Sequence, residues 1–321
     1  MGSYGGLGEG MKGILVVGEL VLDLITIDYD TKLKDARTFN LSYGGSPGNI
    51  ARNIADMGLK AYLFTRVGND PFGEEFKRRL SERNVDTSMM QKDYERNTSM
   101  VFINKSIGNP DFFPIRGSDF NLEYDEKLDG ILEEVSIVHF SSWPISRNPA
   151  RNTVEKIIKK AKSKGVKIAF DPNYREKLWE VNHDGINYIK NILKDIYLVK
   201  PSEDDSFHIF GKMFPHEYIL KYHEYGAKYV ILTMGRDGAL VSDGRNFIKI
   251  NSMAEKVCDT TGAGDALWAG VYYGILNGYD IFESTLIGSC VSAFKLSSEN
   301  KEEKIPDIRE IYKKFTGKVL K

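Results

Sequence analysis

Cysteine is scarce in this chain of 321 residues, which contains only Cys258 and Cys290. Two cysteines are too few for a disulfide framework or a zinc cluster, and we expect Cys258 to be a small buried thiol. No apolar run approaches the roughly 18 residues that a membrane-spanning helix needs. No secretory signal is visible, which leaves a reducing cytoplasm as the default compartment. These absences argue against a disulfide-rich secreted protein and against a membrane protein.

Charge of one sign is not in excess. The sequence contains 44 Lys and Arg against 45 Asp and Glu, a formal net charge of −1, so we expect no nucleic-acid partner. Hydrophobic residues make up 41% of the chain, enough for a sizeable core in one large domain or two smaller ones. Residues 1–10 are glycine-rich and lack an apolar stretch, which is typical of a disordered leader or a tag remnant, with Met11 as a natural start.

Several familiar nucleotide and metal motifs are missing. The chain has no Gly-x-x-x-x-Gly-Lys-Ser/Thr stretch and no His-Arg-Asp or Asp-Phe-Gly sequence, which disfavours P-loop kinases and protein kinases. Gly-x-Gly-x-x-Gly does not follow the first predicted strand, so a dinucleotide-binding Rossmann domain would lack its phosphate turn. The five histidines show no His-Glu-x-x-His spacing, and ordinary core or surface positions are the simpler interpretation.

Short apolar runs alternate with amphipathic stretches along most of the chain. This alternation predicts right-handed βαβ crossovers and a mostly parallel sheet covered on both faces, which is a three-layer α/β/α fold. In such sheets ligands bind beyond the carboxyl ends of the strands. The predicted strands cover residues 14–17, 61–67, 137–140, 166–170, 197–199 and 229–233, followed by an antiparallel pair at 239–242 and 247–250. The predicted helices cover residues 48–57, 72–83, 150–164, 185–193, 265–277 and 281–296.

Two segments break the alternation. Residues 24–43 mix polar and apolar residues without a helical period, and residues 98–116 contain two apolar runs on either side of a turn at 108–110. The second pattern is typical of a hairpin. We predict that both segments form a small β-sheet that lies on the main sheet as a lid. The alternative is a pair of surface loops with some strand character.

Residues 259–266, with the sequence DTTGAGDA, open an apolar helix. Small residues just before a helix expose backbone N–H groups, and the helix dipole adds positive potential there. Such a segment suits a transferring phosphoryl group, and Asp265 in the first turn is placed to accept a proton from a hydroxyl nucleophile. The alternative is a tight turn shaped by Gly262 and Gly264, with Asp265 as a helix cap.

A second glycine-rich segment, GGSPGN at residues 44–49, also precedes a helix. Its glycines allow a ligand to approach the backbone closely, and the side chain of Asn49 offers both donors and acceptors, which suits sugar hydroxyls. The alternative is a turn followed by a helix N-terminus, with Asn49 as a surface residue. Taken alone, this motif is a weak signal.

Together, the two segments and their spacing resemble the PfkB (ribokinase-like) family of carbohydrate kinases. One family pattern covers residues 44–68 and the other covers residues 259–271, and the resemblance extends from Met11 to the C-terminal helices through GELVLD at 18–23 and TMGRDG at 233–238. It implies a ribokinase-like α/β fold over residues 11–321. It also implies ATP-dependent phosphorylation of a sugar hydroxyl, with ATP and Mg²⁺ as cofactors.

The resemblance also implies roles for individual residues. Asp265 is the base that deprotonates the sugar hydroxyl, and the lid closes over the sugar to exclude water, which would otherwise compete as acceptor. The backbone N–H groups that stabilise charge on the γ-phosphoryl group are those of Gly262, Ala263 and Gly264. The implied sugar-binding residues are Asp23, Gly44, Gly45 and Asn49, and the implied nucleotide-binding residues are Ser202, Thr233 and Gly235.

Residues 171–179, with the sequence DPNYREKLW, bear on the substrate. They resemble a pattern of fructokinases and 2-keto-3-deoxygluconate kinases in which the arginine, here Arg175, contacts substrate or phosphate. Arg116 resembles a second substrate-facing arginine on the lid, and two guanidinium groups would suit a sugar acid. A solvated lid charge is the alternative for Arg116. Pro47 favours a fructokinase, whereas Tyr174 with residues 177–179 favours a sugar-acid kinase. We expect a fructokinase-like enzyme, with 2-keto-3-deoxygluconate kinase as the alternative.

Two departures from the family pattern concern cations. The family's Asn-x-x-Glu motif, tied to hydrated Mg²⁺ and phosphate, is replaced by SEDD at residues 202–205. Glu203 or Asp205 is then expected to order a metal-bound water. This departure also motivates a second hypothesis, a non-catalytic sugar or nucleotide sensor on the same fold. A glycine expected before the last proline is absent from residues 298–306, which weakens the expectation of a potassium site and leaves a monovalent cation open.

An unpaired strand edge on the lid is a physical reason for two chains to pair. Dimers through the lid occur in the family that this chain resembles. The sequence therefore favours a homodimer joined through the lid.

Overall fold

The computed structural model describes residues 13–105, 111–181, 183–300 and 302–320. The predicted leader at 1–10 and the predicted turn at 108–110 lie outside the described residues. The strands are β1 (Gly13–Val17), β2 (Val21–Tyr29), β3 (Phe39–Gly44), β4 (Ala61–Gly68), β5 (Met90–Asp93), β6 (Ser99–Lys105), β7 (Phe112–Ile115), β8 (Val135–Ser141), β9 (Lys167–Asp171), β10 (Leu198–Val199), β11 (Tyr229–Thr233), β12 (Ala239–Ser242) and β13 (Phe247–Ile250). The helices are α1 (Ser46–Asp56), α2 (Pro71–Ser81), α3 (Leu128–Glu134), α4 (Ser142–Ile145), α5 (Ala150–Ser163), α6 (Gly185–Ile192), α7 (Glu203–Phe210), α8 (Pro215–Glu224), α9 (Ala263–Leu276), α10 (Ile281–Ser297) and α11 (Ile308–Thr316).

The central sheet has nine strands in the order β13-β12-β11-β10-β9-β8-β1-β4-β5. Neighbours from β11 to β5 pair in parallel, whereas β12 and β13 add an antiparallel hairpin at one edge. Successive side chains of β1 point to opposite faces, so Leu15 and Val17 pack in one buried core and Ile14 and Val16 pack in the other. Helices cover both cores. The predicted three-layer α/β/α fold with a mostly parallel sheet is confirmed.

The lid is a separate four-stranded sheet in the order β3-β2-β6-β7. β2 pairs antiparallel with β3 and parallel with β6, and β6 pairs antiparallel with β7. The predicted small β-sheet is confirmed, but its first strand begins at Val21 rather than at residue 24. The reason is that Val21 and Leu22 are buried, so the strand continues into the core before it reaches the exposed part of the lid.

Several parts of the fold were not predicted. β5 is a short, largely polar edge strand, and α3, α4, α7 and α8 are short helices that carry little periodic signal. The helix α11 was also not predicted, although its nine residues are strongly amphipathic. The prediction of a buried thiol at Cys258 is wrong, because this residue lies in an exposed segment ahead of α9, whereas Cys290 is buried in α10. Among the described helices, none combines the length and the apolar character that a membrane crossing requires.

The two long C-terminal helices, α9 and α10, approach each other very closely. A Cβ atom added to Gly288 of α10 would lie 2.6 Å from the carbonyl oxygen of Leu267 in α9, and one added to Gly270 would lie 2.7 Å from the Cα of Gly288. Only glycine permits this approach of two backbones. The contact fixes α9, whose N-terminus carries the DTTGAGDA segment, against the rest of the molecule.

This packing predicts opposite effects for two Gly→Ala substitutions in helices. Gly288→Ala is expected to lower the free energy of unfolding by about 1–3 kcal/mol, since the added methyl group meets backbone that cannot move without separating the helices. Gly130→Ala in α3 meets no atom within 4 Å and is expected to raise it by about 0.5–1 kcal/mol through helix propensity. Urea denaturation of both variants measures the two changes. A Gly288→Ala protein as stable as the parent would contradict the proposed packing constraint.

Candidate active site

A cavity of about 590 Å³ opens between the lid and the carboxyl edge of the central sheet. The inner face of the lid contributes apolar side chains, and the loops after β1, β8 and β9 contribute most of the polar ones. Its lining includes Glu19, Val21, Asp23, Gly45, Ser46, Val101, Ile103, Phe112, Trp143, Asn173, Arg175, Lys177, Leu178, Thr261 and Gly262. The cavity therefore lies beyond the carboxyl ends of the strands, which is where ligands bind in open α/β sheets.

Asp265 lies in the first turn of α9, beside this cavity, whose lining includes Gly262 and Ser46. The helix begins after Gly262, which has a φ of 78°, and among the described residues no side chain caps this N-terminus. Asp265 Oδ1 accepts a hydrogen bond of 2.6 Å from Ser46 Oγ, and Oδ2 accepts one of 2.9 Å from Asn49 Nδ2. The two glycine-rich segments are thus joined through one carboxylate, although Asn49 and Asp265 lie 216 positions apart in the sequence.

The surroundings of Asp265 tune its proton affinity. Burial raises the pKa of the Asp265 carboxyl to about 6, and the negative charge of Asp171 acts in the same direction. The hydrogen bonds from Ser46 and Asn49 and the positive charge of Lys200 lower the pKa and so oppose this effect. The carboxylate is mostly ionised at neutral pH and has a pKa close to it, which suits a general base.

A buried ion pair lies beneath the turn that starts α9. Lys200 Nζ is 3.0 Å from Asp171 Oδ2, which also accepts a hydrogen bond of 2.7 Å from Trp268 Nε1. A Cβ atom added to Gly264 would lie 3.7 Å from Lys200 Nζ. The ammonium group therefore adds positive charge to that of the helix N-terminus. Sequence reasoning missed Lys200 because a single lysine at the end of a strand carries no motif of its own.

The predicted sugar-binding residues come together where the lid strands β2 and β3 meet the start of α1. Gly44 pairs with Val21 in the lid sheet, and Gly45 has a φ of 101°, with a hypothetical Cβ only 2.5 Å from the carbonyl oxygen of Glu19. Asp23 and Asn49 line a smaller cavity together with Gly44, and Asp23 also lines the larger one. Asp23, Gly44, Gly45 and Asn49 therefore surround one region that opens toward Gly262.

The predicted nucleotide-binding residues lie at the ends of two neighbouring strands. Ser202 follows β10 and forms an isolated parallel bridge with Thr233, the last residue of β11. The backbone N–H of Thr233 donates a hydrogen bond of 2.9 Å to the carbonyl of Pro201. Gly235 begins the next turn with a φ of 56°. The structure thus brings these three residues to one edge of the sheet.

Glu203 and Asp205, the predicted metal-water ligands, differ sharply in environment. Asp205 is buried and accepts hydrogen bonds from the backbone N–H of Tyr174 through Oδ1 and from the backbone and hydroxyl of Ser202 through Oδ2. These contacts form a capping box that starts α7. Glu203 is exposed in the first turn of that helix. Asp205 therefore has a structural partner at each oxygen, whereas Glu203 faces solvent.

The two predicted substrate-facing arginines also differ. Arg175 is exposed at the rim of the large cavity, where its guanidinium donates to the carbonyl of Tyr174. Arg116 lies behind the cavity wall: its side chain is 7% exposed and forms an ion pair of 2.6 Å with Asp119. It also donates to Ser146 Oγ and to the carbonyl of Leu178. This geometry does not support Arg116 as a carboxylate clamp, because its charge is already matched by a buried carboxylate. It does not support a solvated lid charge either.

A helix N-terminus next to an ionised carboxylate, beside a cavity of polar and apolar side chains under a lid, defines the site of a phosphotransferase with an alcohol acceptor. Residues 11–308 match the model of the pfkB family carbohydrate kinases. The chain is 42% identical, over 309 residues, to an ATP-dependent 6-phosphofructokinase of Thermoanaerobacterium thermosaccharolyticum, with 96% of this chain and 95% of the relative covered.

Solved structures agree with this match. A fructokinase of Halothermothrix orenii is 34% identical with a TM-score of 0.79, and the alignment covers 90% of this chain and 99% of that one. A sugar kinase of Pyrococcus horikoshii in complex with ATP is 31% identical with a TM-score of 0.79, covering 92% and 96%. The chain belongs to the PfkB family of carbohydrate kinases and is a sugar kinase, which confirms the family and the class of enzyme that the sequence indicated.

Proposed function

We propose that this kinase transfers the γ-phosphoryl group of ATP to a hydroxyl of a ketohexose such as fructose. The observation that carries the proposal is the placement of Asp265 at the start of α9, bonded to Ser46 and Asn49 beside the cavity. Two of the similar proteins are named for action on fructose or its phosphate, which supports a ketohexose as the acceptor.

The proposed reaction is an in-line displacement in which Asp265 acts as the base. The sugar hydroxyl donates its proton to the Asp265 carboxylate, and its oxygen bonds to the γ-phosphorus as the bond from phosphorus to the bridging β–γ oxygen breaks, releasing ADP. The backbone N–H groups of Gly262 and Gly264 donate to the phosphoryl oxygens, and that of Ala263 joins them by exchanging its 3.3 Å hydrogen bond to the Thr260 carbonyl. Lys200 adds positive charge below them. Apolar lid side chains exclude water from the cavity.

The proposed nucleotide site is the sheet edge formed by Ser202, Thr233 and Gly235. Among the described residues, no group of three or more His, Cys, Asp or Glu side chains is arranged to hold a metal ion. This fits Mg²⁺, which arrives on nucleotide phosphates, keeps several waters and neutralises phosphate charge when bound. Of the two predicted acidic residues, exposed Glu203 is the one we propose to order such a water. The use of ATP as the phosphoryl donor is consistent with an enzyme that acts in the cytoplasm.

The proposed acceptor site lies between Asp23, Gly44, Gly45 and Asn49, with Arg175 at the rim. Between these four residues the wall offers hydrogen-bonding groups, since the guanidinium of Arg116 is held behind it by Asp119 and that of Arg175 lies at the rim. A neutral sugar therefore fits it better than a sugar acid such as 2-keto-3-deoxygluconate. The wall therefore favours a fructokinase-like acceptor over a sugar acid.

A phosphorylated ketohexose is the second candidate acceptor. Arg175 and Lys177 are both exposed at the rim of the cavity, and Lys177 Nζ lies 3.3 Å from the carbonyl of Phe112 on the lid. Two cations at a rim would suit a phosphate at the far end of the sugar, away from the reacting hydroxyl. The relative that is 42% identical is named a 6-phosphofructokinase, which supports the same candidate.

Removal of the proposed base tests the mechanism. Asp265→Asn keeps the size of the side chain but cannot accept a proton, so kcat is expected to fall by roughly 10²–10⁴-fold. The substitution is expected to leave the thermal unfolding temperature close to that of the parent. Coupled ADP-release kinetics on the preferred sugar measure kcat. A variant that turns over at the parental rate would show that Asp265 is not the base.

The parent enzyme supplies an internal control through its pH profile. Because the pKa of Asp265 is raised to about 6, kcat is expected to be full above this value and to fall as pH drops through it. Asp265→Asn is expected to show no such acidic limb in its residual activity.

A panel of acceptors tests the substrate class. Fructose, fructose 6-phosphate, glucose and 2-keto-3-deoxygluconate are compared by ADP release and by mass spectrometry of the product. We expect the highest kcat/KM with a ketohexose. If the 6-phosphate is the true acceptor, Arg175→Ala combined with Lys177→Ala is expected to raise its KM about 10-fold or more, with little change for fructose. Turnover of the sugar acid alone would overturn the proposal, and ATP binding without any turnover would favour a sensor.

We further propose that two chains pair through the outer face of the lid. The register of the lid sheet sets Leu41, Leu24, Phe102 and Phe113 side by side across its four strands. At the two edge strands, Leu41 is 49% exposed and Phe113 is 55% exposed. A row of apolar side chains ending in unpaired strand edges is the kind of surface that pairs with another copy.

Charged substitutions on this row test the dimer. The parent is expected to sediment as a dimer at micromolar concentration, and Leu41→Glu combined with Phe113→Glu is expected to sediment as a monomer, since burying two carboxylates is unfavourable. Leu220→Glu, at an equally exposed leucine of α8, is the matched control and is expected to leave the dimer intact. A monomeric parent would contradict the proposal.

A further inference from the structure

Glu19 is a buried acidic residue that no motif assigned to the chemistry. It lies between the end of β1 and the start of β2 and lines the large cavity together with Ser46, Trp143 and Gly262. The residue is only 4% exposed, and its Oε2 atom has no hydrogen-bond partner. A buried carboxyl oxygen without a partner is unfavourable in the free protein, so a ligand in the cavity that supplied one would gain from the contact.

The nearby charges do not satisfy this carboxyl group. Arg116, which attracts it, is paired through Nε with Asp119, and its buried Nη2 atom has no hydrogen-bond partner and so does not donate to Glu19. Asp119 accepts a further hydrogen bond of 2.6 Å from Trp143 Nε1. Asp119 and Asp265 both repel a negative charge at Glu19. The carboxyl group therefore has an environment that disfavours an anion, whether that anion is its own ionised form or a substrate carboxylate.

The ionisation of Glu19 follows from the same surroundings. Burial raises the pKa of the Glu19 carboxyl to about 8, with Asp119 and Asp265 adding to the effect and its own backbone N–H and Arg116 opposing it. At neutral pH the group is mostly protonated, and a protonated carboxyl both donates and accepts a hydrogen bond. A sugar hydroxyl matches this pair of functions, whereas a carboxylate or phosphate can only accept.

We propose that the Glu19 carboxyl binds a sugar hydroxyl close to the one that receives the phosphoryl group, and that it selects neutral sugars over sugar acids at this wall of the cavity. This inference rests on the proposed ketohexose kinase activity. It assigns to Glu19 a specificity role for that reaction. Glu19 and Asp265 are close enough for their charges to interact, which places the bound hydroxyl near the reacting one.

Two substitutions at Glu19 separate binding from folding. Glu19→Gln keeps a neutral group that donates and accepts, so the KM for the ketohexose is expected to stay within about 3-fold of the parent at neutral pH. Glu19→Leu removes both functions and is expected to raise this KM about 10-fold or more, with the KM for ATP little changed. Above about pH 8, the KM of the parent is expected to rise, while that of Glu19→Gln is not.

Deoxy sugars identify the contact directly. A series of monodeoxy ketohexoses is assayed with the parent and with Glu19→Leu. With the parent, one analogue is expected to show a lower kcat/KM than the full ketohexose. With Glu19→Leu, the same analogue and the full ketohexose are expected to have similar kcat/KM values, because the variant already lacks the partner of the missing hydroxyl. Asp93→Asn is the control: Asp93 is an equally buried carboxylate beside β4, paired with Arg66, and its substitution is expected to leave the sugar KM unchanged.

The outcomes distinguish this inference from the proposed function. If the parent phosphorylates no ketohexose, the proposed function fails before any variant is made. If the parent does so but both Glu19 variants lower the unfolding temperature without changing the sugar KM or its pH dependence, Glu19 is only a structural partner of Arg116, and the inference is overturned. The same holds if no deoxy sugar shows coupling with Glu19→Leu.

Discussion

One carboxylate joins the two halves of the candidate site. Asp265 stands at the start of α9 and accepts hydrogen bonds from Ser46 and Asn49 at the start of α1. The N-terminus of α9 attracts any anion, and the hydrogen bonds from these two partners and the charge of the buried Lys200 lower the pKa of the carboxyl against the effect of its burial. Without that arrangement the cavity would lack the base that phosphoryl transfer to a hydroxyl needs.

The rest of the fold can be understood as support for that contact. α9 is held by its close approach to α10, and its first turn sits above the pair formed by Lys200 and Asp171 at the ends of two central strands. α1 begins directly after β3 of the lid and is bonded to α9 through Ser46 and Asn49. The lid therefore has two faces with different tasks: one lines the cavity with apolar side chains, and the other is the exposed surface through which we propose that two chains meet.

The sequence alone predicted most of the architecture, because an amphipathic segment such as that of α5 and a long apolar segment such as that of α10 carry a strong signal. It also predicted that Asp265 and Asn49 belong to the site, because their glycine-rich segments carry a physical signature, and the structure joins the two side chains by a hydrogen bond. It could not show that Arg116 is paired with Asp119, because burial of a lid arginine depends on tertiary packing. Glu19 and Lys200 were not predicted, for a related reason. Each is a single charged residue at the end of an apolar strand, and only the folded chain shows that both are buried beside the site. Cys258 was misjudged because thiol burial is a statistical tendency.

The most direct test of the central claim is a crystal structure with ADP, aluminium fluoride and the preferred ketohexose. The account predicts that the planar or square fluoroaluminate lies about 3 Å from the backbone nitrogens of Gly262–Gly264, with the sugar hydroxyl between it and the Asp265 carboxylate. The account would be contradicted if the fluoroaluminate were bound away from the start of α9, or if Asp265 contacted only Ser46 and Asn49 while the sugar hydroxyl lay elsewhere.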